Sequence, residues 1–271
     1  MRATPWLIGP IWVLCWIAFC GLPVSLVLAP LTLAPLSLFL ALYVLLAVVQ
    51  RPLLKMPVPR IVHLDPDPKK PALHLVHPHG VLCHGVHAVM ASLTRRSVLL
   101  TPVWPLVYLL LIQCNWTSAS ASARSIGALM RAGRDMWLYP GGFFEAARHS
   151  YHADVADVGS RGAIRLALRH GYPVRVAFAF GERKTAYNLQ GYWGARLWLA
   201  KHGVPAVVPW LVVFGRSPVR VVVSRALDVP RVSAPTDADV GRWHAEYVNA
   251  LVALHAAHKS SDDPPLVVVG E

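Results

Sequence analysis

The chain has 271 residues, of which 55% are hydrophobic and 15% are charged, and its 26 Lys and Arg against 14 Asp and Glu give a formal net charge of +12. Soluble domains usually carry about 25% charged residues, so this composition disfavours an ordinary soluble protein and favours contact with lipid. The basic residues are scattered without a run of five, which disfavours nucleic-acid binding and leaves anionic headgroups or a polyphosphate cofactor as partners.

Residues 5–50 contain no Asp, Glu, Lys, Arg or His. A membrane span needs roughly 20 apolar residues, and two prolines near the middle of the stretch would interrupt a single helix. The pattern predicts two spans, at 9–29 and 31–49, as a transmembrane helical hairpin. Arg2 precedes the hairpin and Arg51 follows it, so both flanks are expected in the cytosol. A buried helical pair of a soluble protein is the alternative.

The four cysteines are Cys15, Cys20, Cys83 and Cys114. No pair has the CxxC spacing of a metal or redox site. A reducing, cytosol-facing catalytic region is therefore expected.

The proline-rich residues 51–71 form the clearest boundary, and apolar strand-like runs alternate with helical patterns beyond them. That alternation is typical of an α/β domain. We expect a transmembrane hairpin over 1–50, a connector over 51–71, a mixed α/β domain over 72–259 and a flexible tail over 260–271. Strands are predicted at 73–76, 136–139, 174–180, 207–214 and 219–223, and helices at 86–93, 122–132, 159–170 and 188–202.

Two further segments have distinct patterns. Residues 98–112 are apolar but broken by Pro102 and Pro105, and either a membrane-surface or acyl-chain-lining segment or a buried core helix fits them. A last helix begins after Thr236, a good N-cap. Its apolar stripe at helical spacing predicts core packing, and it comprises Val240, Trp243, Tyr247, Leu251 and Leu254.

The first candidate site is the run His77-Pro78-His79-Gly80, directly after a predicted strand. Histidine is the side chain best suited to proton transfer near neutral pH. Proline fixes a φ angle, and Gly80 permits a sharp turn or close approach of a substrate. We interpret His77 and His79 as candidate general bases.

The second candidate is the strand-to-helix turn that contains Gly141, Gly142 and Glu145. Backbone N–H groups of two glycines can bind an oxyanion or a phosphate, so both glycines are candidate substrate-binding residues. Glu145 is a candidate for orienting a histidine or the acceptor hydroxyl. A tight turn with a solvated glutamate is the simpler alternative.

A third candidate is a basic stripe. Arg161, Arg165 and Arg169 are four residues apart and would share one helix face. Guanidinium groups suit the phosphates of coenzyme A, so Arg161 and Arg165 are candidate substrate-binding residues. A solvated or headgroup-facing surface fits equally well.

Taken in order, these motifs resemble the signatures of the type-2 diacylglycerol acyltransferase family, which includes monoacylglycerol and wax-alcohol acyltransferases. The resemblance covers about residues 73–259. It is carried by His77 to Gly80, Pro140 to Glu145, Arg161 to Gly171, Phe180 to Glu182, and a C-terminal echo from Pro235-Thr236 through Tyr247 to His258-Lys259.

The resemblance implies a multi-pass enzyme of the endoplasmic reticulum membrane with a cytosolic catalytic domain. It would move a fatty acyl group from acyl-CoA to an acylglycerol or fatty alcohol, with diacylglycerol as the first expectation and triacylglycerol as the product. The family's functional residues fall on His77, His79, Gly80 and Glu145. His79 is favoured as the base because it lies nearer the glycine, although the sequence does not separate the two histidines. No bound cofactor or metal is expected, and a homo-oligomer is left open.

The chain departs from the family pattern in two segments. Residues 115–133 lack the usual Gly-Gly and Cys-Pro pattern, and residues 222–227 replace the usual segment before the last helix. Both departures leave the acceptor open.

Rival interpretations are a metal-dependent lipid hydroxylase or desaturase, which the absence of a His-His dipeptide disfavours, and a non-catalytic membrane interaction protein. A His-x4-Asp acyltransferase is a third rival, since His149 and Asp154 have that spacing, as do His152 and Asp157. Those pairs follow the glycine turn, whereas that dyad normally precedes it. Cys83 lies near enough in sequence to be a nucleophile, although an inert buried thiol is favoured.

Overall fold

The computed structural model describes residues 60–67, 69–81, 83, 85, 97–101, 118–204, 206–207, 209–212 and 219–270. The predicted hairpin, the helix predicted at 86–93 and most of segment 98–112 lie outside these residues. Within the described part of the chain, no helix combines the length and apolar character that crossing a membrane requires.

The described elements alternate between strands and helices. The strands are β1 Arg60–His63, β2 Leu73–His77, β3 Ser97–Thr101, β4 Ser118–Ser120, β5 Asp135–Leu138, β6 Asp154–Asp157, β7 Val174–Phe180, β8 Ala186–Asn188, β9 Pro209–Val212, β10 Arg220–Val223 and β11 Leu266–Val269. The helices are α1 Ala123–Arg131, α2 Gly142–Ala147, α3 Gly162–His170, α4 Trp193–Lys201 and α5 Asp237–His258, with a short 3₁₀ turn at Glu182–Thr185.

A seven-stranded sheet forms the centre of the described fold, in the order β1-β10-β7-β2-β5-β3-β4. Its neighbouring strands are parallel except for the antiparallel pair β10 and β7. All seven residues of β7 are buried, as expected for a strand that is covered on both faces and reads as one apolar run. The predicted mixed α/β architecture is confirmed for these residues.

The sheet topology determines where the histidine motif lies. His77 is the last residue of β2 and pairs with Phe178 of the parallel strand β7. The turn that follows therefore emerges at the carboxyl edge of the parallel strands, which is where α/β sheets bind their ligands. The helix α3 precedes β7 and returns the chain across the sheet, so its N-terminus lies at this same edge.

Three helix ends are stabilised by a side-chain cap or by a left-handed glycine. The Ser122 side chain accepts the Ser125 N–H at the start of α1. Gly171 ends α3 in the left-handed conformation at φ 61°, which glycine adopts without a Cβ penalty. Thr236 and Asp239 form a reciprocal capping box on α5, and this arrangement satisfies two otherwise unpaired N–H groups.

The C-terminal residues differ from the prediction of a flexible tail over 260–271. Leu266–Val269 form β11, which pairs in parallel with β6 from Asp154↔Leu266 to Asp157↔Val269. The sequence Leu-Val-Val-Val is rich in β-branched residues, and β6 offers an open edge that satisfies its backbone. The ordered strand corrects the prediction for these four residues.

Two other boundaries also change. Arg60–His63, within the predicted connector, form the strand β1 because they pair with β10. The helix predicted at 188–202 begins only at Trp193, after Gly191 and Tyr192 adopt φ angles of 98° and 53°. Positive φ angles are incompatible with a right-handed helix, so the chain before Trp193 forms β8 and a loop.

Candidate active site

His77 is a fully buried residue with both ring nitrogens in contact with polar partners. Its Nδ1 lies 2.6 Å from Glu145 Oε2, and its Nε2 contacts the Tyr247 hydroxyl. A carboxylate can only accept, so Nδ1–H donates to Glu145, and Nε2 is left to accept from the Tyr247 O–H. His77 is thereby fixed in one tautomer between α2 and α5.

Glu145 is the hub of this arrangement. One carboxylate oxygen accepts from His77 Nδ1–H and from the Asp157 backbone N–H at 2.9 Å, and the other accepts the backbone N–H of His79. The side chain is 2% exposed, and a buried carboxylate is stable only when hydrogen bonds replace its hydration. Glu145 joins β2, the histidine turn and β6, and it is not the solvated residue of the simpler alternative.

The two glycines before Glu145 each have a structural role in the turn. A Cβ on Gly141 would lie 2.3 Å from Glu145 Oε2 and 2.9 Å from the Asp157 carbonyl oxygen. The Gly142 N–H donates to the Tyr139 carbonyl at 3.2 Å and closes the turn, so it is not free for an oxyanion. The expectation of two open backbone donors is corrected for Gly142, while Gly141 makes room for the carboxylate.

A second carboxylate, Glu182, holds the other side of the histidine turn. Its Oε2 accepts the Gly85 N–H at 2.7 Å, and its side chain is fully buried. Gly80 lies against it at φ 63°, where a Cβ would come within 2.4 Å of Glu182 Oε1. Close packing of a carboxylate, in a left-handed turn, is therefore what requires glycine at position 80.

His79 lies beyond this support and is half-buried. Its Nδ1 is 2.9 Å from the Gly80 carbonyl oxygen, and its ring packs 4.9 Å from that of Tyr139. A carbonyl oxygen accepts, so Nδ1 carries the proton and Nε2 carries the lone pair, with the Cys83 Sγ 3.5 Å from it. Burial lowers the pKa of His79 below its usual 6.5, which keeps the ring neutral at physiological pH.

Tyr247 and Cys83 complete the surroundings of the two histidines. Burial, followed by the nearby Glu145 charge, raises the pKa of Tyr247 well above its usual range, so its hydroxyl remains a donor. The Cys83 Sγ lies 3.5 Å from both ring nitrogens of His79. Burial raises the pKa of that thiol well above its usual range, and an undissociated thiol is a weak nucleophile.

The predicted basic stripe is divided by the structure. The Arg165 guanidinium donates to the Asp237 carboxylate at 2.6 Å and to the Pro235 carbonyl at 3.2 Å, which joins α3 to the start of α5. Arg161 is exposed at the N-terminus of α3, at the same sheet edge as the histidine turn. Arg161 is thus exposed at this edge, whereas Arg165 has a structural partner.

The His-x4-Asp pairs do not form dyads in this fold. His149 Nε2 donates to the Ala186 carbonyl at 3.0 Å, and Asp154 lies 3.3 Å from His255. The other aspartate, Asp157, binds Arg148. Burial lowers the pKa of His149 to about 4, so it is a neutral core residue.

Two elements of the site were missed in the sequence. Tyr247 was assigned to core packing, because one helical stripe contains both packing and hydrogen-bonding residues. Glu182 was noted within the Phe180-Gly181-Glu182 motif without a role. The sequence did contain a signal for Glu182, because it closely follows the apolar strand at 174–180 and therefore lies at the carboxyl edge of the sheet.

Comparison with known proteins gives one consistent result. A family model described as diacylglycerol acyltransferase matches residues 56–268. Diacylglycerol O-acyltransferase 2 of Dictyostelium discoideum is 26% identical over 235 residues, which cover 76% of this chain and 71% of that protein. Acyl-CoA wax alcohol acyltransferase 2 of Mus musculus is 24% identical over 247 residues, with 79% and 74% covered.

A third match is more local. Diacylglycerol O-acyltransferase 2 of Bos taurus is 30% identical over 118 residues. These residues cover 37% of this chain and 32% of the bovine protein. The aligned part therefore spans about a third of that relative's length.

Proposed function

Because the chain belongs to the diacylglycerol acyltransferase family, we propose that it transfers a fatty acyl group from acyl-CoA to the hydroxyl of diacylglycerol and forms triacylglycerol. The observation that carries the proposal is the buried carboxylate of Glu145, which binds both the His77 ring and the His79 backbone. Monoacylglycerol or a fatty alcohol is the alternative acceptor, and the likeness to a wax alcohol acyltransferase favours keeping the fatty alcohol in the test.

His79 is the proposed general base. Its Nε2 lone pair faces away from the Gly80 carbonyl that fixes Nδ1, and its lowered pKa keeps that lone pair available. The acceptor hydroxyl gives its proton to Nε2 as its oxygen attacks the thioester carbonyl. The tetrahedral intermediate then collapses, the C–S bond breaks and the ester forms. The leaving CoA thiolate takes the proton from His79 Nε2, which returns the base to its neutral form. General base catalysis is typically worth about 10²–10⁴-fold in rate.

His77 is proposed as a positioning residue. Both of its nitrogens are used, one by Glu145 and one by Tyr247, and the side chain has no exposed surface. A buried imidazole with two fixed partners resists rotation and fixes the end of β2. The position of His79, two residues further along, follows from that rigidity, and precise placement of a base is worth as much as its presence.

Direct transfer without an acyl-enzyme is proposed on two grounds. The raised pKa of Cys83 disfavours the thiol beside His79 as a nucleophile, and the histidine turn lies at the carboxyl edge of the sheet, where we expect the two substrates to meet. Arg161 at that edge is proposed to bind a phosphate of acyl-CoA. We place the enzyme in the endoplasmic reticulum membrane, anchored by residues 1–50 with the catalytic part cytosolic.

The test uses the full chain purified in detergent, with radiolabelled acyl-CoA and diacylglycerol, monoacylglycerol or fatty alcohol as acceptors in parallel reactions. His79→Asn should lower product formation by about 10²-fold or more. His152→Asn, the same change at an exposed histidine, is the matched control and should retain activity. Full activity of His79→Asn would exclude His79 as the base, and product with fatty alcohol alone would replace diacylglycerol as the acceptor.

A further inference from the structure

Several large apolar side chains are exposed on α4, on the loop before it and on the neighbouring helix α2. Tyr192 is 78% exposed and Trp198 is 59% exposed. Leu189, Trp193 and, from α2, Phe144 are also large exposed side chains. Soluble monomers rarely expose several large apolar groups together, and such a patch marks an interaction surface. We name these five residues the aromatic face.

The aromatic face rests on a rigid support. Arg196, on the inner side of α4, is buried and donates to the carbonyls of Leu189 at 2.6 Å, Ala206 at 2.9 Å and Ala147. Its guanidinium also lies 4.9 Å from the centre of the Trp193 ring, within the range of a cation–π contact. The aromatic side chains are thus displayed from a fixed helix.

The charges around the face point to one kind of partner. Residues 183–227 contain no Asp or Glu, and the single acid of residues 142–153 is the buried Glu145. Lys201 and His202 are exposed at the end of α4. Two stretches that present aromatic and basic groups and contribute no exposed acid complement the interfacial region of a bilayer, whose headgroups carry phosphates.

We propose that the aromatic face inserts into the interfacial layer of a lipid bilayer and seats the catalytic end of the fold on the membrane surface. Trp and Tyr prefer this layer because their rings are apolar and their N–H and O–H groups remain hydrated. The Trp198 ring packs 4.2 Å from the ring of His202 and therefore lies next to the basic residues at the C-terminal end of α4.

Contact of the aromatic face with the bilayer would serve acyl transfer to a lipid, and in this respect the inference rests on the proposed function. α4 packs directly against α2, the helix that carries Glu145. The Arg196–Ala147 hydrogen bond ties the two helices together. A bilayer-bound acceptor would therefore be close to the histidine turn without leaving the membrane surface.

The test measures lipid contact independently of activity. Full-length chains that carry Trp198→p-benzoylphenylalanine are reconstituted into vesicles of radiolabelled phosphatidylcholine, with and without phosphatidylserine, and irradiated. The control is Val252→p-benzoylphenylalanine, at a 44% exposed apolar position on α5. Position 198 should form a lipid adduct several-fold more often than position 252.

The outcomes separate this proposal from the proposed function. Equal labelling at both positions, or an adduct of position 198 with another part of the chain or a second copy in place of lipid, would overturn the proposal. A lipid adduct at position 198 in a preparation that acylates no acceptor would support the membrane surface and contradict the acyltransferase assignment.

As a second variant, Trp198→Ser should raise KM several-fold for acceptor dispersed in vesicles and leave KM for a short-chain, water-soluble acceptor unchanged. Equal effects on both would contradict the membrane role.

Discussion

Replacing Glu145 by glutamine tests the central contact of the site with little change of shape. The carboxylate accepts three hydrogen bonds, one from the His77 ring and two from the backbone of His79 and Asp157. An amide has one oxygen and one NH₂ group. If the NH₂ replaces the oxygen that faces His79, it opposes that N–H. If it replaces the other oxygen, His77 can change tautomer to accept from it, but the Asp157 N–H still loses its acceptor.

Either orientation therefore leaves at least one buried backbone N–H without a partner. A hydrogen bond to a charged group contributes about 1.5–3 kcal/mol, so Glu145→Gln should lower the free energy of unfolding by about that amount. For a chain of this size, each kcal/mol lowers Tm by roughly 2–4 °C, which gives a decrease of roughly 3–12 °C. Because the histidine turn is displaced, kcat should fall on the order of 10²-fold, with KM for acyl-CoA unchanged.

The assay is thermal unfolding of the detergent-purified protein together with steady-state acyl transfer. Glu246→Gln makes the same change at an exposed position of α5, and it should leave both Tm and kcat unchanged. A Glu145→Gln protein as stable and active as the parent would refute the role of this carboxylate. A raised KM for acyl-CoA with unchanged kcat would instead place Glu145 in substrate binding.

Three further predictions concern the turn, its base and its edge. Gly80→Ala should lower Tm more than Gly133→Ala, because both glycines have φ near 60° but, of the two, only position 80 would place a Cβ 2.4 Å from a carboxylate oxygen. The left-handed conformation costs both variants about 1–2 kcal/mol, and overpacking adds about 1–3 kcal/mol at position 80 alone. Equal Tm losses would contradict the close contact. Because the neutral form of His79 is the base and burial lowers its pKa, the decline of kcat/KM toward low pH should be centred below 6.5, the usual pKa of histidine. A decline centred above pH 6.5 would contradict this assignment. Arg161→Ala should raise KM for acyl-CoA several-fold at unchanged kcat. Arg169 is also exposed but lies two helical turns further from the edge, so Arg169→Ala should leave this KM unchanged. Equal KM values for the two variants would exclude Arg161 from binding acyl-CoA.

Local patterns in the sequence predicted those elements that depend on local chemistry. The strand at 174–180, the helix end at residue 170 and the helix start after Thr236 agree with the structure. In these cases the apolar period or the capping group lies within the element. The paired strands β6 and β11 could not be found this way, since Asp154 and Asp157 give β6 a polar pattern that becomes a strand only with a distant partner.

In the site, too, the local motifs could be predicted from the sequence, whereas the contacts between distant residues could not. The histidine turn and Glu145 were identified as chemically important, and their roles as base and orienting group stay predictions. The contacts themselves join residues 68 and 170 positions apart, and one sequence does not indicate which buried tyrosine reaches which histidine. The glycines show this limit of sequence reasoning, because a glycine can leave space for a substrate or for a neighbouring side chain. At Gly80 and Gly141 the space is filled by a carboxylate.

The pairing of β6 with β11 also bears on the order in which the protein is made. Asp157, whose N–H donates to Glu145, ends a strand whose partner is translated more than a hundred residues later. At synthesis rates of about 5–20 residues per second, the ribosome needs roughly 5–20 s to supply it. During that interval β6 has an open edge, so a nascent chain would acquire its finished catalytic geometry only after α5 and the final strand have emerged.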